Sequence, residues 1–366
     1  MSVKSYISFL FFLLFIIQIP HCQNSNFKIR TIAFYNVENL FDTINNPDTF
    51  DDDFTPNGKN GYTSKVYWEK INRTGRVISN IGYETSKNSP VIIGLVEIEN
   101  RSVLEDLIHS EYLKNKHYNI IHFDSPDRRG IDVGFLYQEK YFTPLDQKNY
   151  EVKLWDEEGK RIFTRDILVV YGLLEDEPIH IIVNHWPSRR GGEKRSKSKR
   201  AKAAYIVNQI VENICLENID AKIIVMGDFN DDPIDDSIKK GLFSVGKVKD
   251  IDQNSLFNPM EKMYKQGLNT LGYRDGINLF DQIILSSNYI STNKKYDTYK
   301  FFKAGIYNPP YVITQKGKYK GYPFRSFQNN HFSGGYSDHF PVYIYLIKKA
   351  PTFVEASKIS RKTNSY

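Results

Sequence analysis

The stretch "GYSDHFPVYIYL", residues 335–346, sets an aspartate and a histidine side by side at the mouth of a β-branched, aromatic run. From Val342 onward that run reads as a core strand. A buried charge beside an imidazole is costly unless something pairs with it, and a metal ion with a reaction to serve is one such partner. Neighbouring residues on an extended strand point to opposite faces. Asp338 and His339 are therefore expected at the irregular start of the strand, where both can turn inward.

Working outward, the same ending recurs. "FKIRTIAFYN" (27–36) is a strand closed by Asn36, and "PVIIGLVEIEN" (90–100) is a near-continuous apolar strand with Glu97 near its end. "PIHIIVNHWP" stops at His185, and "AKIIVMGDFNDDP" stops at Asp228 and Asn230. "NLFDQIILS" carries Asp281 at its front. "YNIIHF", "IDVGFLY" and "FTRDILVVYG" complete the expected strands. Apolar spacing near Trp68, Ile71, Val77 and Ile81 predicts a helix over 66–81. A short helix is expected from Arg101 and a longer one from Ser198 to Asn218. The stretch from Ser244 to Lys320 reads as mostly polar loop around the one strand "NLFDQIILS".

Taken alone, each polar residue has a plain reading: a turn-former, a helix-capping acid, a salt-bridge partner, or a histidine packed on an aromatic. As a set they call for more, because function on such folds concentrates at strand ends. Carboxylate and amide oxygens are hard ligands that suit magnesium, manganese or calcium.

With 366 residues, 40% hydrophobic and 25% charged, the chain can bury a sizeable core. A formal charge of +6 is compatible with an anionic substrate such as a phosphodiester. Residues 1–22, "MSVKSYISFLFFLLFIIQIPHC", place Lys4 ahead of an apolar stretch and read as a secretory signal peptide, too short to span a membrane comfortably. The expectation is export, periplasmic or secreted. Pro20 and His21 before Cys22 fit lipoprotein processing poorly. Once the leader is removed Cys215 stands alone, which excludes a disulfide framework and a four-cysteine zinc site. No internal repeat or Pro/Ser/Gly linker interrupts residues 25–348, expected to be one domain, and residues 349–366 read as a basic tail.

Together "FYNVENLFD", "GLVEIEN", "RRGIDVGFLY", "NHWPSR", "GDFNDDP", "NLFDQIILS" and "GYSDHFP" resemble, in family order, the endonuclease/exonuclease/phosphatase superfamily. That superfamily includes bovine-type deoxyribonucleases, abasic-site repair endonucleases, neutral sphingomyelinases and inositol polyphosphate phosphatases. The resemblance implies an α/β fold of four layers, with two central mixed β-sheets face to face and helices outside. It also implies a divalent-metal-dependent phosphoesterase using Mg2+, with Mn2+ or Ca2+ as alternatives.

Residue by residue, the resemblance places Asn36, Glu97 and Asp338 near the metal and His185 against a phosphate oxygen. Asp228 would position or activate the attacking water, and Asn230 would hold the phosphate. His339 would be the base, its tautomer fixed by Asp281. Arg129, Asp132, Asn184, Arg189 and Arg190 are expected to touch substrate, the arginines because a planar fork suits phosphate oxygens. The basic run "RRGGEKRSKSKR" after His185 suits a polynucleotide backbone, so nucleic acid, DNA or RNA, is the expected substrate. Arg129 and Asp132 stand where some repair endonucleases carry an active-site tyrosine, and that departure argues against abasic-site repair. The alternatives carried are a phosphatase or phosphodiesterase on small or lipid-linked phosphoesters, and a non-catalytic binder of phosphate ligands.

Overall fold

Alternation along the first strand fixes the layers. In β1 (Phe27–Leu40), Ile32 and Phe34 face one core, while Ala33 and Tyr35 face another on the opposite side. The structure, a computed structural model, describes residues 27–273, 276–291 and 295–350. The leader at 1–22 and residues 351–366 of the tail lie outside the described residues. Residues Lys28–Lys348 form one compact unit.

The other sheet strands, in chain order, are β2 (Ile92–Ile98), β3 (Tyr118–Phe123), β4 (Asp132–Gln138), β5 (Phe142–Tyr150), β6 (Ile167–Leu174) and β7 (Glu177–His185). They continue with β8 (Ile223–Asp228), β9 (Ser244–Val245), β10 (Leu256–Phe257), β11 (Asp281–Ser286), β12 (Lys300–Ile306) and β13 (Val342–Lys349). One sheet has six strands in the order β12-β13-β1-β2-β4-β3, and the other has seven in the order β9-β10-β11-β8-β7-β6-β5. Both are mixed: β1 and β2 run parallel and β2 and β4 antiparallel, just as β8 is parallel to β7 and antiparallel to β11.

The sheets face each other across a core in which Phe34, Ile92, Val96 and Phe135 meet Ile181, Val183, Ile224 and Met226. Gly94 sets the spacing there, since a Cβ on it would fall 2.8 Å from Val183 Cγ1 and 2.9 Å from Met226 Sδ. Outside the six-stranded sheet lie α1 (Ser64–Asn80) and α2 (Arg101–Ile108), which bury Ile71, Ile78, Leu104 and Leu107. Outside the seven-stranded sheet lies α3 (Glu193–Glu217), packing Ala203, Val207 and Ile210. This is the expected four-layered α/β sandwich.

Three expectations need correction. The helix expected from Ser198 begins at Glu193, directly after Gly191 and Gly192, whose φ of 83° and 106° end the preceding loop. Trp68 is 45% exposed, and Tyr67 takes the inward position on α1. The stretch 244–320 holds more than the one expected strand: besides β11 it carries β9, β10, the helix Met260–Lys265 and the strand β12. Lysines at 300 and 303 disguise β12 because it is an edge strand, where charge is usual.

Candidate active site

Strand register assembles the centre. Parallel pairing sets Asp228 beside His185, and antiparallel pairing sets it beside Asp281, so three polar strand ends lie in one row. Asp228 Oδ2 is 3.1 Å from Asn36 Nδ2, 3.7 Å from His185 Nε2 and 3.9 Å from His339 Nε2. Asp228 Oδ1 accepts the Asn230 N–H at 3.0 Å. Burial, opposed by His339, pushes the Asp228 carboxyl up to about 6.

His339 precedes β13 in an irregular segment, with Asp338 beside it. Ser337 holds the turn: its hydroxyl donates to the Asn36 carbonyl at 2.7 Å and accepts the His339 N–H at 3.0 Å. The imidazole Nδ1 lies 2.7 Å from Asp281 Oδ2. Burial works to lower the His339 pKa. The charge and hydrogen bond of Asp281, then the charges of Asp228 and Asp338, outweigh it and hold the imidazole well above its usual range. His185 goes the other way: burial first, then Arg165, Arg129 and His339, keep it well below that range and neutral. Two oppositely tuned imidazoles thus face one carboxylate.

The six-stranded sheet supplies the acidic flank. Asn36 pairs with Val96 and Leu40 with Ile98, leaving Glu97 as a bulged residue at φ 65°. Glu97 Oε2 accepts the Asn39 N–H at 2.9 Å and Oε1 lies 3.9 Å from His185 Nε2. Glu38, Asn39 and Asn230 are also left-handed, at φ 54°, 51° and 51°, so non-glycine strain gathers at this centre. The buried Glu38 carboxylate takes Arg325 Nη2 at 3.1 Å and the Ser326 N–H. Arg325 Nη2 also meets Asp338 Oδ2 at 3.2 Å. Burial and then Asp338 raise Glu38, while burial lowers Lys70, whose ammonium donates to the Val37 carbonyl and Ser326 Oγ.

By donor chemistry this flank suits a divalent cation. Glu97, Glu38 and Asp338 offer hard oxygens, and burial first, then the Asp338 charge, raises the Glu38 carboxyl. Asp228, Asp281 and His339 bring ligand atoms within 4.8 Å of one another. Both sets have partners within the protein: the imidazole holds Asp281 while Asn36 and Asn230 hold Asp228, and Arg325 spans Glu38 and Asp338. Asn36 itself uses Oδ1 to accept the Glu38 N–H at 3.0 Å, so both ends of its amide knit the centre together.

Of the expected substrate contacts, Arg129 and Arg190 line one cleft of about 560 Å3, with Arg165 and Pro187 also in its wall. Eight arginines and lysines line it against two aspartates, among the described residues. The remaining three are held by partners within the protein. Asn184 is fully buried, donating to the Ile182 and Met226 carbonyls and accepting from the Trp186 indole. Asp132 is buried against His122 Nε2 at 3.0 Å and the Ser125 N–H at 2.7 Å. Arg189 is spent on Asp235 at 2.8 Å, Asp231 at 3.2 Å and the Asn230 carbonyl at 2.9 Å, and its guanidinium lies over the Phe280 ring.

Glu38, Lys70, Arg165 and Arg325 are the residues that sequence reasoning missed. Glu38 left a trace, as an acid two positions beyond Asn36 in an otherwise buried run. Arg325 left none, since its surroundings have no period. Arg165, buried and bonded to Asp127 Oδ2 at 3.0 Å and the Trp186 carbonyl at 2.6 Å, looks in sequence like any strand-flanking arginine.

The chain matches no curated protein sequence significantly. It is similar in fold to an endonuclease/exonuclease/phosphatase family protein from Bacteroides thetaiotaomicron, at 17% identity and TM-score 0.53 over 88% of this chain and 96% of that one. A mannosyl-6-phosphatase from Bacteroides thetaiotaomicron aligns at 15% identity and TM-score 0.51, covering 87% and 99%. D. rerio TDP2 complexed with single-strand DNA product gives 15% and 0.51, covering 87% and 98%. Residues 31–348 match the model of the Endonuclease/Exonuclease/phosphatase family, and the chain belongs to that family of metal-dependent phosphoesterases.

Proposed function

We propose that the chain is an exported nuclease that hydrolyses phosphodiester bonds in DNA by attack of water on phosphorus. One observation carries the proposal: the Asp228 carboxylate, set among Asn36, His185 and His339, is linked through Asn230 and the Trp186 carbonyl to Arg165 in the wall of a cleft lined by eight cationic side chains. Asp228 Oδ2 orients the attacking water and takes its proton. His339 Nε2, its ring aimed by Asp281, donates to a phosphoryl oxygen as negative charge grows there. His185 Nε2–H and the Asn230 amide hold the other non-bridging oxygen. A divalent cation bound by Glu97 with Glu38 and Asp338 would neutralise the departing oxygen.

The cleft supports a polyanion over a lone phosphate. Arg165 and Asn230 both donate to the Trp186 carbonyl, so the basic surface and the reacting centre share one loop. D. rerio TDP2, solved with a single-strand DNA product, shows that a related fold accommodates such a chain. Export rests on the leader pattern at 1–22, and mass determination of the mature N-terminus after cell fractionation tests it.

The activity test sets plasmid, single-stranded DNA and RNA against small sugar phosphates and phospholipids in Mg2+. Cleavage of polynucleotide in preference to the small esters supports the proposal. Clean turnover of a small ester with intact polynucleotide overturns it in favour of a phosphatase.

A further inference from the structure

A second cavity, of about 610 Å3, opens on the acidic flank, with Glu38, Asp338 and Arg325 in its wall. Its lining differs in kind from the basic cleft. Among the described residues Arg325 is its one cation, against Glu38, Asp53 and Asp338. That cation already spans Glu38 and Asp338 at 3.1 and 3.2 Å.

What remains is rings and amides. Phe54 is fixed by stacking on Phe41, with centroids 4.4 Å apart and planes at 11°, and by an edge contact with Phe327. Tyr322 lies against backbone at Gly272, where a Cβ would come within 2.3 Å of its ring. Tyr319, 47% exposed, completes the aromatic side. Opposite chemistry comes from Asn39, Asn60, Gln328, Asn329 and Asn330. Asn329 and Asn330, at φ 50° and 64°, form the two-residue tip of the hairpin Phe327–Gln328/His331–Phe332, a turn that pins both at the cavity.

Flat apolar faces combined with amide donors and acceptors, without surplus positive charge, recognise an uncharged ring with hydrogen-bonding edges. We infer that this cavity binds the neutral cyclic part of the substrate, a nucleobase with its sugar or a hexose, joined to the phosphate held at Asp228 and His339. The inference rests on reading that centre as a phosphoester site. The two flanks then divide the substrate, with phosphates beyond the reacting one in the basic cleft and the ring among Tyr319, Tyr322 and the asparagine tip.

Calorimetric titration of the mature chain in Mg2+ with thymidine 5′-monophosphate, glucose 6-phosphate and inorganic phosphate tests it. The variants are Tyr319→Ala and the double Asn329→Gly/Asn330→Gly, in which glycine keeps the left-handed turn while removing both amides. Stacking and edge contacts predict that a ring-bearing phosphate binds about tenfold or more tighter than inorganic phosphate. Both variants should shrink that advantage several-fold, and whether the nucleotide or the hexose shows it identifies the ring. Equal binding of all three ligands to the wild type, or equal weakening of all three in the variants, overturns the inference. Thymidine and methyl glucoside separate the two readings. If they bind to the wild type but not to the variants while inorganic phosphate does not bind at all, the cavity assignment stands and the phosphoester reading falls.

Discussion

Asp281 Oδ2 lies 2.7 Å from His339 Nδ1, and this bond joins a strand of the seven-stranded sheet to the segment that leads into the six-stranded one. The pair proposed to act in catalysis is therefore also a contact between the two halves of the sandwich. Its geometry depends on the sheets being packed at the right spacing.

The first prediction concerns that pair. In metal-free protein, His339 should keep its proton well above pH 6.5, and Asp281→Asn should bring its titration down toward the ordinary range. Imidazole proton shifts followed against pH by NMR measure this. The same variant should lose about 10- to 100-fold in turnover, as positioning groups behind histidines do. An unmoved titration would show that Asp281 does not govern the ring.

Glu97 gives the second. Removing its charge with Glu97→Gln should raise the Mg2+ needed for half-maximal turnover by about tenfold or more, and calorimetric Mn2+ affinity should fall in parallel. Chelation should stop the wild-type reaction, and added Mg2+ should restore it. Metal affinity unchanged in Glu97→Gln would move the cation elsewhere.

The two neighbouring arginines should separate. Arg189→Ala strips Asp231 and Asp235 of a partner and should lower Tm. Arg190→Ala should leave Tm in place and weaken polynucleotide binding, reducing the salt slope by about 0.9 for each phosphate that the side chain neutralises. Equal effects on Tm would undo the distinction between them.

At the far end of the sandwich, Glu175 holds Lys28 and Arg30 while Glu177 holds Lys222 and Lys348. Burial raises both carboxyls, but the hydrogen bonds of their lysines and arginine, with Coulombic help, win and set them below their usual 4.5. A folded pKa below the unfolded one contributes stability that is complete above the unfolded value and is lost as pH falls through the folded value. The double variant Glu175→Gln/Glu177→Gln should lose roughly 1–3 kcal/mol at pH 7 and show a flatter fall in stability below about pH 4.5. Urea unfolding between pH 3 and 7 reads both quantities.

Much of this was legible because strand ends announce themselves. "GDFN" and "SDHF" each stop or start an apolar run with groups that a core does not request, and the structure sets Asp228 and His339 3.9 Å apart. Register was not legible: Asn36 meets Asp228 across 192 positions, and nothing local encodes that pairing. Edge strands were missed for a related reason. Phe142–Tyr150 carries Pro144 and a mostly exposed face, so alternation is faint. Asn184 and Arg189 both flank His185, and sequence proximity does not say that the one is bonded to buried carbonyls and the other to Asp231 and Asp235.

The most direct test compares single-turnover hydrolysis of a DNA phosphodiester by the wild type, Asp228→Asn and His339→Ala at saturating Mg2+, with Tm and Mg2+ affinity measured on the same samples. The account predicts rates reduced by about 10^2- to 10^4-fold in each variant, with fold and metal binding retained. Wild-type cleavage that persists in either well-folded variant would contradict it.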